Sequence, residues 1–198
     1  MARWEPDARG RLLRAALELF AERGYDATTA AAIAERAGLT KTTLFRQFAD
    51  KREILFQGQA DSVRVADSAV RAAPAGASAL EALREALAAL CDGHTPDHRD
   101  TGRRIAPIVA TSPELQERAG AKRASIAAAL QGALADRTGD VDVAGALADL
   151  GVRAYYGGFD EWVVGDEDVP LREVVLTRLD RLVAGVGGAL APSAGRRR

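Results

Sequence analysis

The chain has 198 residues, with 27 lysines and arginines set against 28 aspartates and glutamates, so its formal net charge is -1. A molecule so balanced is no polyelectrolyte, and any nucleic-acid site must come from a local concentration of basic groups. A single cysteine excludes an intrachain disulfide framework, and no stretch reaches the roughly 18 apolar residues of a membrane span, so a cytoplasmic protein with no membrane partner is expected.

Residues 1–52 hold ten basic side chains against seven acidic ones, an excess of +3 that leaves -4 for the remainder. Aromatic residues are few, and Ala, Leu, Glu and Arg, which lose little freedom in a helix, are abundant. An all-α protein of about nine helices follows, with no strand and no internal repeat.

The first helix should start after Pro6 and Asp7, with Leu13, Ala16, Leu17 and Phe20 on one face and Arg14, Glu18 and Glu22 on the other. Gly24 ends it. Thr29 caps a second helix through Ile33 to Ala37, Gly38 supplies a sharp turn, and Thr40 caps a third through Leu44 to Phe48. Asp50, with Glu53 three residues on, reads as the capping box of a fourth helix that continues past Ile54, Leu55, Phe56 and Val63. Ala73, Pro74, Ala75 and Gly76 interrupt it.

Ser78 with Glu81 opens another helix through Leu83, Leu87 and Leu90, after which residues 92–100 read as a polar loop. A short helix is expected over 103–110, and Ser112 and Pro113 start a longer one through Leu115, Ile126, Leu130 and Leu134. Asp142 and Pro170 mark the last two starts. Leu147, Leu150, Ala154, Tyr155, Phe159 and Trp162 form one apolar stripe, and Leu171, Val175, Leu179, Leu182, Val183 and Val186 form another. The expected division is a three-helix module over 1–52, a helical bundle over 53–190 and a disordered basic tail over 191–198.

Two short helices joined by a Gly-containing turn, behind a packing helix, are the layout of a helix-turn-helix. Its second helix must present small polar and basic groups to base edges and phosphates while apolar groups anchor it from behind. Lys41, Thr42, Thr43 and Arg46 meet the first demand, and Leu44 and Phe48 the second. An ordinary bundle with a solvated basic face would not require Ala34, Gly38, Leu44 and Phe48 at this spacing.

The run from Thr28 and Thr29 through Ala34, Gly38, Leu39 and Lys41 to Phe48, followed by Asp50, Lys51, Glu53 and Leu55, resembles the DNA-binding domain of the tetracycline-repressor (TetR) family. The resemblance implies that Thr29 caps the second helix beside a phosphate and that Lys41, Thr42 and Thr43 open the recognition helix. Phe45 stands where the family usually has tyrosine; without the hydroxyl, its ring can still pack on sugar or a thymine methyl. Gln47 replaces a common histidine, and Lys51 matches a lysine that contacts phosphate. The expected partner is double-stranded DNA, bound by a homodimeric, ligand-responsive repressor at a palindromic operator.

Further on, Thr101 to Ile105, Ser112 to Arg118, Ala135 to Gly139 and Phe159 to Trp162 are similar to a TetR subgroup, including mycofactocin-system regulators, whose sensing domain is described as binding acyl-CoA-like ligands. Phe56, Tyr155, Tyr156, Phe159 and Trp162 are candidates for the wall of such a small-molecule pocket, and Arg103 or Arg104 for its anionic group. Gly151, Ala154, Gly157 and Gly158 permit close helix approach, and the resemblance places a dimer interface on the last two helices, with Leu176, Leu179, Val183 and Val186 as further candidates.

Cys91, His94 and His98 have a spacing that could gather zinc, but two histidines beside Pro96 read better as solvent-exposed, and no metal or cofactor is expected. No nucleophile-base-orienter set and no glycine-rich phosphate loop appears, so no catalytic residue is nominated and the protein is not expected to be an enzyme. The alternative, a small helical enzyme or an interaction module, would lack salt-sensitive, sequence-selective binding of duplexes.

Overall fold

A computed structural model describes residues 7–57, 59–165 and 168–190; the expected basic tail at 191–198 lies outside them. Among the described residues the chain is all-α, with nine α-helices, one 3-10 turn and no strand. The helices are α1 (Ala8–Arg23), α2 (Ala30–Arg36), α3 (Lys41–Gln47), α4 (Gln59–Ala72), α5 (Ala79–Asp92), α6 (Pro96–Thr111), α7 (Pro113–Thr138), α8 (Val141–Val164) and α9 (Leu171–Leu190). None is long and apolar enough to cross a membrane.

Local chemistry sets most of the boundaries. The side chains of Asp7, Thr29, Thr40 and Ser78 each accept a hydrogen bond from the backbone amide three residues on, which satisfies an orphan donor of the helix that follows. Ser78 and Glu81 complete the reciprocal capping box. Gly24 and Gly38 end α1 and the α2 turn at φ 81° and 66°, the left-handed side that a residue without Cβ enters without penalty.

Three expectations are corrected. The fourth helix does not run from Asp50: a 3-10 turn at Arg52–Ile54 precedes α4. Asp50 Oδ1 does accept from the amides of Arg52 and Glu53, but the Glu53 carboxylate is taken by Arg118, so it does not close the box. The polar stretch 92–100 is helical from Pro96, with Thr95 and His98 joined across its first turn. Asp140 rather than Asp142 caps α8, accepting from the amides of Asp142 and Val143 at 2.9 and 3.1 Å.

The described residues fall into two compact units. One joins those up to Gln59 with Asp100–Lys122, and the other joins Ala60–Arg99 with those from Arg123 on. The first is built on fully buried Leu12 and Leu19 of α1, Ile33 of α2, Leu44 of α3, Ile54 of the turn and Leu115 of α7. Removing such large apolar side chains from water is the main term holding so small a unit together.

The second unit is built on Leu83 and Leu87 of α5, Ile126, Leu130 and Leu134 of α7, Ala154 of α8, and Val175 and Leu179 of α9. Helix α8 packs closely on both α5 and α9 because two positions lack side chains. A Cβ on Gly151 would meet Leu83 Cδ1 at 2.7 Å, and one on Gly158 would meet Val175 Cγ2 at 2.7 Å. Arg137 of α7 closes the end of α4, donating to the carbonyls of Val70 and Ala73 and to Pro74 and Ala77 beyond it. A cation suits a helix carboxyl terminus, where unpaired carbonyls gather partial negative charge.

Candidate nucleic-acid interface

Helix α3 is set by its buried side. Leu44 is fully buried and Phe48 nearly so, while Thr40 caps the first turn with its hydroxyl 3.1 Å from the Thr43 amide and 2.9 Å from the Thr43 hydroxyl. That orientation turns Lys41, Thr42, Phe45 and Arg46 outward, with Thr43 and Gln47 half-buried at the margins. Phe45 is 46% exposed, and the Lys41 ammonium stands 5.7 Å from its ring centroid. The exposed ring and the cation beside it form one surface, apolar and basic together, that a nucleic-acid backbone with its sugars would suit.

The turn between α2 and α3 is held from α1. Arg11 donates through Nη2 and Nε to the Ala37 carbonyl, at 2.6 and 3.1 Å. Arg36 forks onto Glu22 with two bonds of 2.9 Å and reaches Glu18 at 3.3 Å, tying α2 to α1; its guanidinium holds the Glu22 carboxyl below its ordinary pKa. Neither arginine is offered to solvent as a simple positive charge. Both roles are long-range, and nothing in the local pattern announces them.

Thr29 caps α2, accepting from the Ala32 amide at 3.2 Å. Lys51 is half-buried and points inward, donating to the carbonyls of Tyr25 and Thr28 at 2.7 and 3.0 Å from a position 3.8 Å from the Tyr25 ring centroid. Burial pushes its pKa below the usual lysine value. It therefore braces the α1–α2 loop, and one of its three N–H donors remains for a phosphate.

In the second unit, Tyr155, Phe159 and Trp162 surround His94, with ring centroids 6.2, 5.6 and 6.5 Å from the imidazole. Tyr156 stacks edge-on to Tyr155 at 5.2 Å and lies under the Arg123 guanidinium. Its buried hydroxyl has no hydrogen-bond partner among the described residues, and burial pushes its pKa up to about 12. The four aromatic candidates of this unit thus form one cluster. The other three belong to the first unit: Phe56 is core beneath Arg118, while Arg103 and Arg104 are exposed and Arg103 pairs with Asp100 at 3.3 Å.

Of the interface candidates on α8 and α9, Gly151, Ala154, Gly158 and Leu179 are buried within the single chain, and the Arg178 guanidinium lies against Gly157. Leu176 and Val183 are half-buried and Val186 is 43% exposed. His94 is half-buried among rings rather than solvent-exposed, and the His98 ring accepts from the Thr95 amide. Cys91 is buried, with its thiol pushed up to about 12, and among the described residues no three acidic, His or Cys side chains are gathered for a metal.

Residues 12–57 match the family model described as bacterial regulatory proteins of the tetR family, and residues 77–187 match that of the MftR C-terminal domain. The transcriptional regulator TcmR of Streptomyces glaucescens is 37% identical over 82 residues, which cover 41% of this chain and 36% of that protein. The transcriptional activator FasR of Mycolicibacterium smegmatis is 46% identical over 48 residues, 24% of this chain and 22% of that one. The matches thus span about a third or less of these relatives' lengths. Among solved structures, Thermus thermophilus FadR, a TetR-family repressor in complex with lauroyl-CoA, superposes with a TM-score of 0.54 at 23% identity, covering 96% of this chain and 98% of that one. At that identity the likeness establishes the fold.

Proposed function

Since the chain belongs to the TetR family of DNA-binding transcription regulators rather than to an enzyme class, we propose that it is a homodimeric repressor, released from a palindromic operator by a small amphipathic ligand. The observation that carries this reading is the outward face of α3, where Lys41, Thr42, Phe45 and Arg46 stand over an anchor of Leu44 and Phe48. Lys41 and Arg46 supply phosphate contacts. On this reading Thr42, Thr43 and Phe45 meet base edges, Gln47 meets phosphate or an adenine edge, and Thr29 and Lys51 flank them at the backbone.

The exposed apolar residues of α9, Val186 and Leu190, with Val183 beside them, support a two-fold contact through the carboxyl-terminal helices. Two-fold symmetry then asks for an inverted-repeat operator with half-sites about 34 to 36 Å apart, or a multiple of that. The ring cluster of Tyr155, Tyr156, Phe159 and Trp162 is the proposed apolar part of the effector site. Lauroyl-CoA, the ligand of the Thermus thermophilus structure, is the natural first effector to try.

Bound fragments selected from the source genome would supply the operator, which is then titrated at fixed salt with and without lauroyl-CoA. The reading expects weaker operator binding with the ligand, and linkage requires the operator to weaken ligand binding by the same factor. An operator affinity that rises with ligand would make the protein a ligand-recruited regulator.

A further inference from the structure

Several cations of residues 7–52 are committed within the first unit. Arg36 lies on Glu18 and Glu22, Arg52 on Asp50 and Arg14 on Asp7, while Arg11 and Lys51 donate to backbone carbonyls. Arg9, Arg23, Lys41 and Arg46 are exposed and make no ion pair among the described residues. Lys41 and Arg46 belong to the outward face of α3. Arg23 stands in the last turn of α1, where the carbonyls of a helix end suit a cation, and Glu22 beside it feels its charge.

Arg9 has neither reason for its place. It lies in the first turn of α1, the end at which the helix dipole disfavours a cation, and the nearest carboxylate along the chain, Asp7, is engaged by the Gly10 amide and by Arg14. Its guanidinium is 5.0 Å from the ring centroid of Phe48, the residue that ends α3. That contact stations Arg9 at the carboxyl end of the outward-facing helix, while Lys41 opens the amino end. An arginine steadied against a ring keeps its N–H donors and can still fork onto a phosphate.

Helix α3 has seven residues, so it is about 10 Å long, and a duplex carries a phosphate every 3.4 Å or so of axis on each strand. A row of cations that begins at Lys41 and continues past the end of α3 therefore meets more than one phosphate. On the regulator reading above, we infer that Arg9 is a phosphate contact of the operator complex, made from α1 and held in place by Phe48. Helix α1 then serves the reader twice: Arg11 clamps the turn before α3, and Arg9 adds a backbone contact beyond it. A phosphate contact fixes register and does not read sequence.

The test is anisotropy of the full chain with a genome-selected operator and with a scrambled duplex, between 50 and 200 mM salt, alongside urea unfolding. Arg9→Met keeps an unbranched side chain over Phe48 and removes the charge. It should bind both duplexes about tenfold more weakly, as befits loss of a charge-assisted hydrogen bond, and lower the slope of log K against log salt by about 0.9. Its unfolding midpoint should match that of wild type, and Arg9→Lys should recover the slope. Arg64→Met, which removes a 70% exposed charge from the second unit, should leave the slope alone. A lowered unfolding midpoint with an unchanged slope would make Arg9 a mere cover for Phe48 and overturn the contact. An equal loss of slope in Arg64→Met, or a loss confined to the operator, would overturn it too. If wild type binds both duplexes and Arg9→Met matches it, the reader stands and this contact fails; if wild type shows no salt-dependent binding, the regulator reading falls and the contact with it.

Discussion

The guanidinium of Arg99 lies 4.4 Å from the ring centroid of Trp162, and both side chains donate to the same acceptor, the Val169 carbonyl, at 3.1 and 3.0 Å. Arg99 is 4% exposed, so the contact is desolvated. A buried cation–π pair contributes up to about 2 kcal/mol, and a hydrogen bond from a charged donor roughly 1.5 to 3 kcal/mol. Arg99→Met should therefore lower stability by about 2 to 4 kcal/mol in urea unfolding, given the partial replacement of packing. A cycle with Trp162→Phe should show a coupling of about 1 kcal/mol; strict additivity would show that the two side chains act separately.

Gly38 makes a second, separable demand. Its φ of 66° penalises any L side chain, and a Cβ there would meet Arg11 Nη2 at 2.9 Å, displacing the clamp on Ala37. Gly24 lies in a different region, φ 81° and ψ 162°, which essentially only glycine enters, so Gly24→Ala carries a backbone cost of its own, about 1 to 3 kcal/mol. Gly38→Ala should cost more in wild type than in an Arg11→Ala background. Thermal unfolding of Gly38→Ala, Arg11→Ala and the double variant decides it, and a cost that is the same without Arg11 would place the strain elsewhere.

What the sequence revealed and what it hid divide along the range of the interactions. The caps at Thr29, Thr40 and Ser78 and the turns at Gly24 and Gly38 act over three or four residues, so their chemistry is visible in the local string. The anchor of α3 was equally plain from the spacing of Leu44 and Phe48. Glu53 misled because its local reading, a capping box, competes with a partner 65 residues away. The commitment of Lys51 to two carbonyls of the α1–α2 loop, the burial of Leu115 in the first core, and the filling of Gly151 and Gly158 by the chain's own α5 and α9 are likewise long-range. The exposed and buried faces of α3 could thus be read locally, and the parts that hold the helix could not.

Assembly should respond to exposed α9 and not to its buried side. Val186→Glu places a carboxylate on a surface that is 43% exposed in the single chain, at little cost to folding, and should give monomers by sedimentation. Leu179→Glu is different, because Leu179 is fully buried in the second core, and several kcal/mol of unfolding should accompany any change in mass. A Val186→Glu protein that sediments as a dimer would move the interface off this face.

Alkaline stability carries a signature of Cys91. Burial raises its thiol from 9.0 to about 12, so above pH 9 the unfolded chain loses this proton while the folded chain keeps it. Stability from this group is whole below pH 9 and falls as pH rises from there toward 12, by up to about 1.4 kcal/mol per pH unit. Tyr156, Lys51 and Lys122 titrate in wild type and Cys91→Ala alike, whereas Tyr155 is raised by burial and in part by the Cys91 charge, so the difference between the two reads the thiol together with its coupling to Tyr155. That difference in urea stability should be flat from pH 6 to 8.5 and shift against wild type above 9. A difference that stays constant to pH 10.5 would mean the thiol is not buried.

The outward face of α3 as a reader of duplex DNA is tested most directly by fluorescence anisotropy of a genome-selected operator and a scrambled duplex of equal length, between 50 and 200 mM salt. Wild type should prefer the operator by about 10³-fold or more and weaken steeply with salt. Lys41→Met should lose affinity for both duplexes alike and reduce the slope of log K against log salt by about 0.9, while Thr42→Ala should chiefly erode the preference. Equal affinity of wild type for the two duplexes, or binding indifferent to salt, would contradict the account.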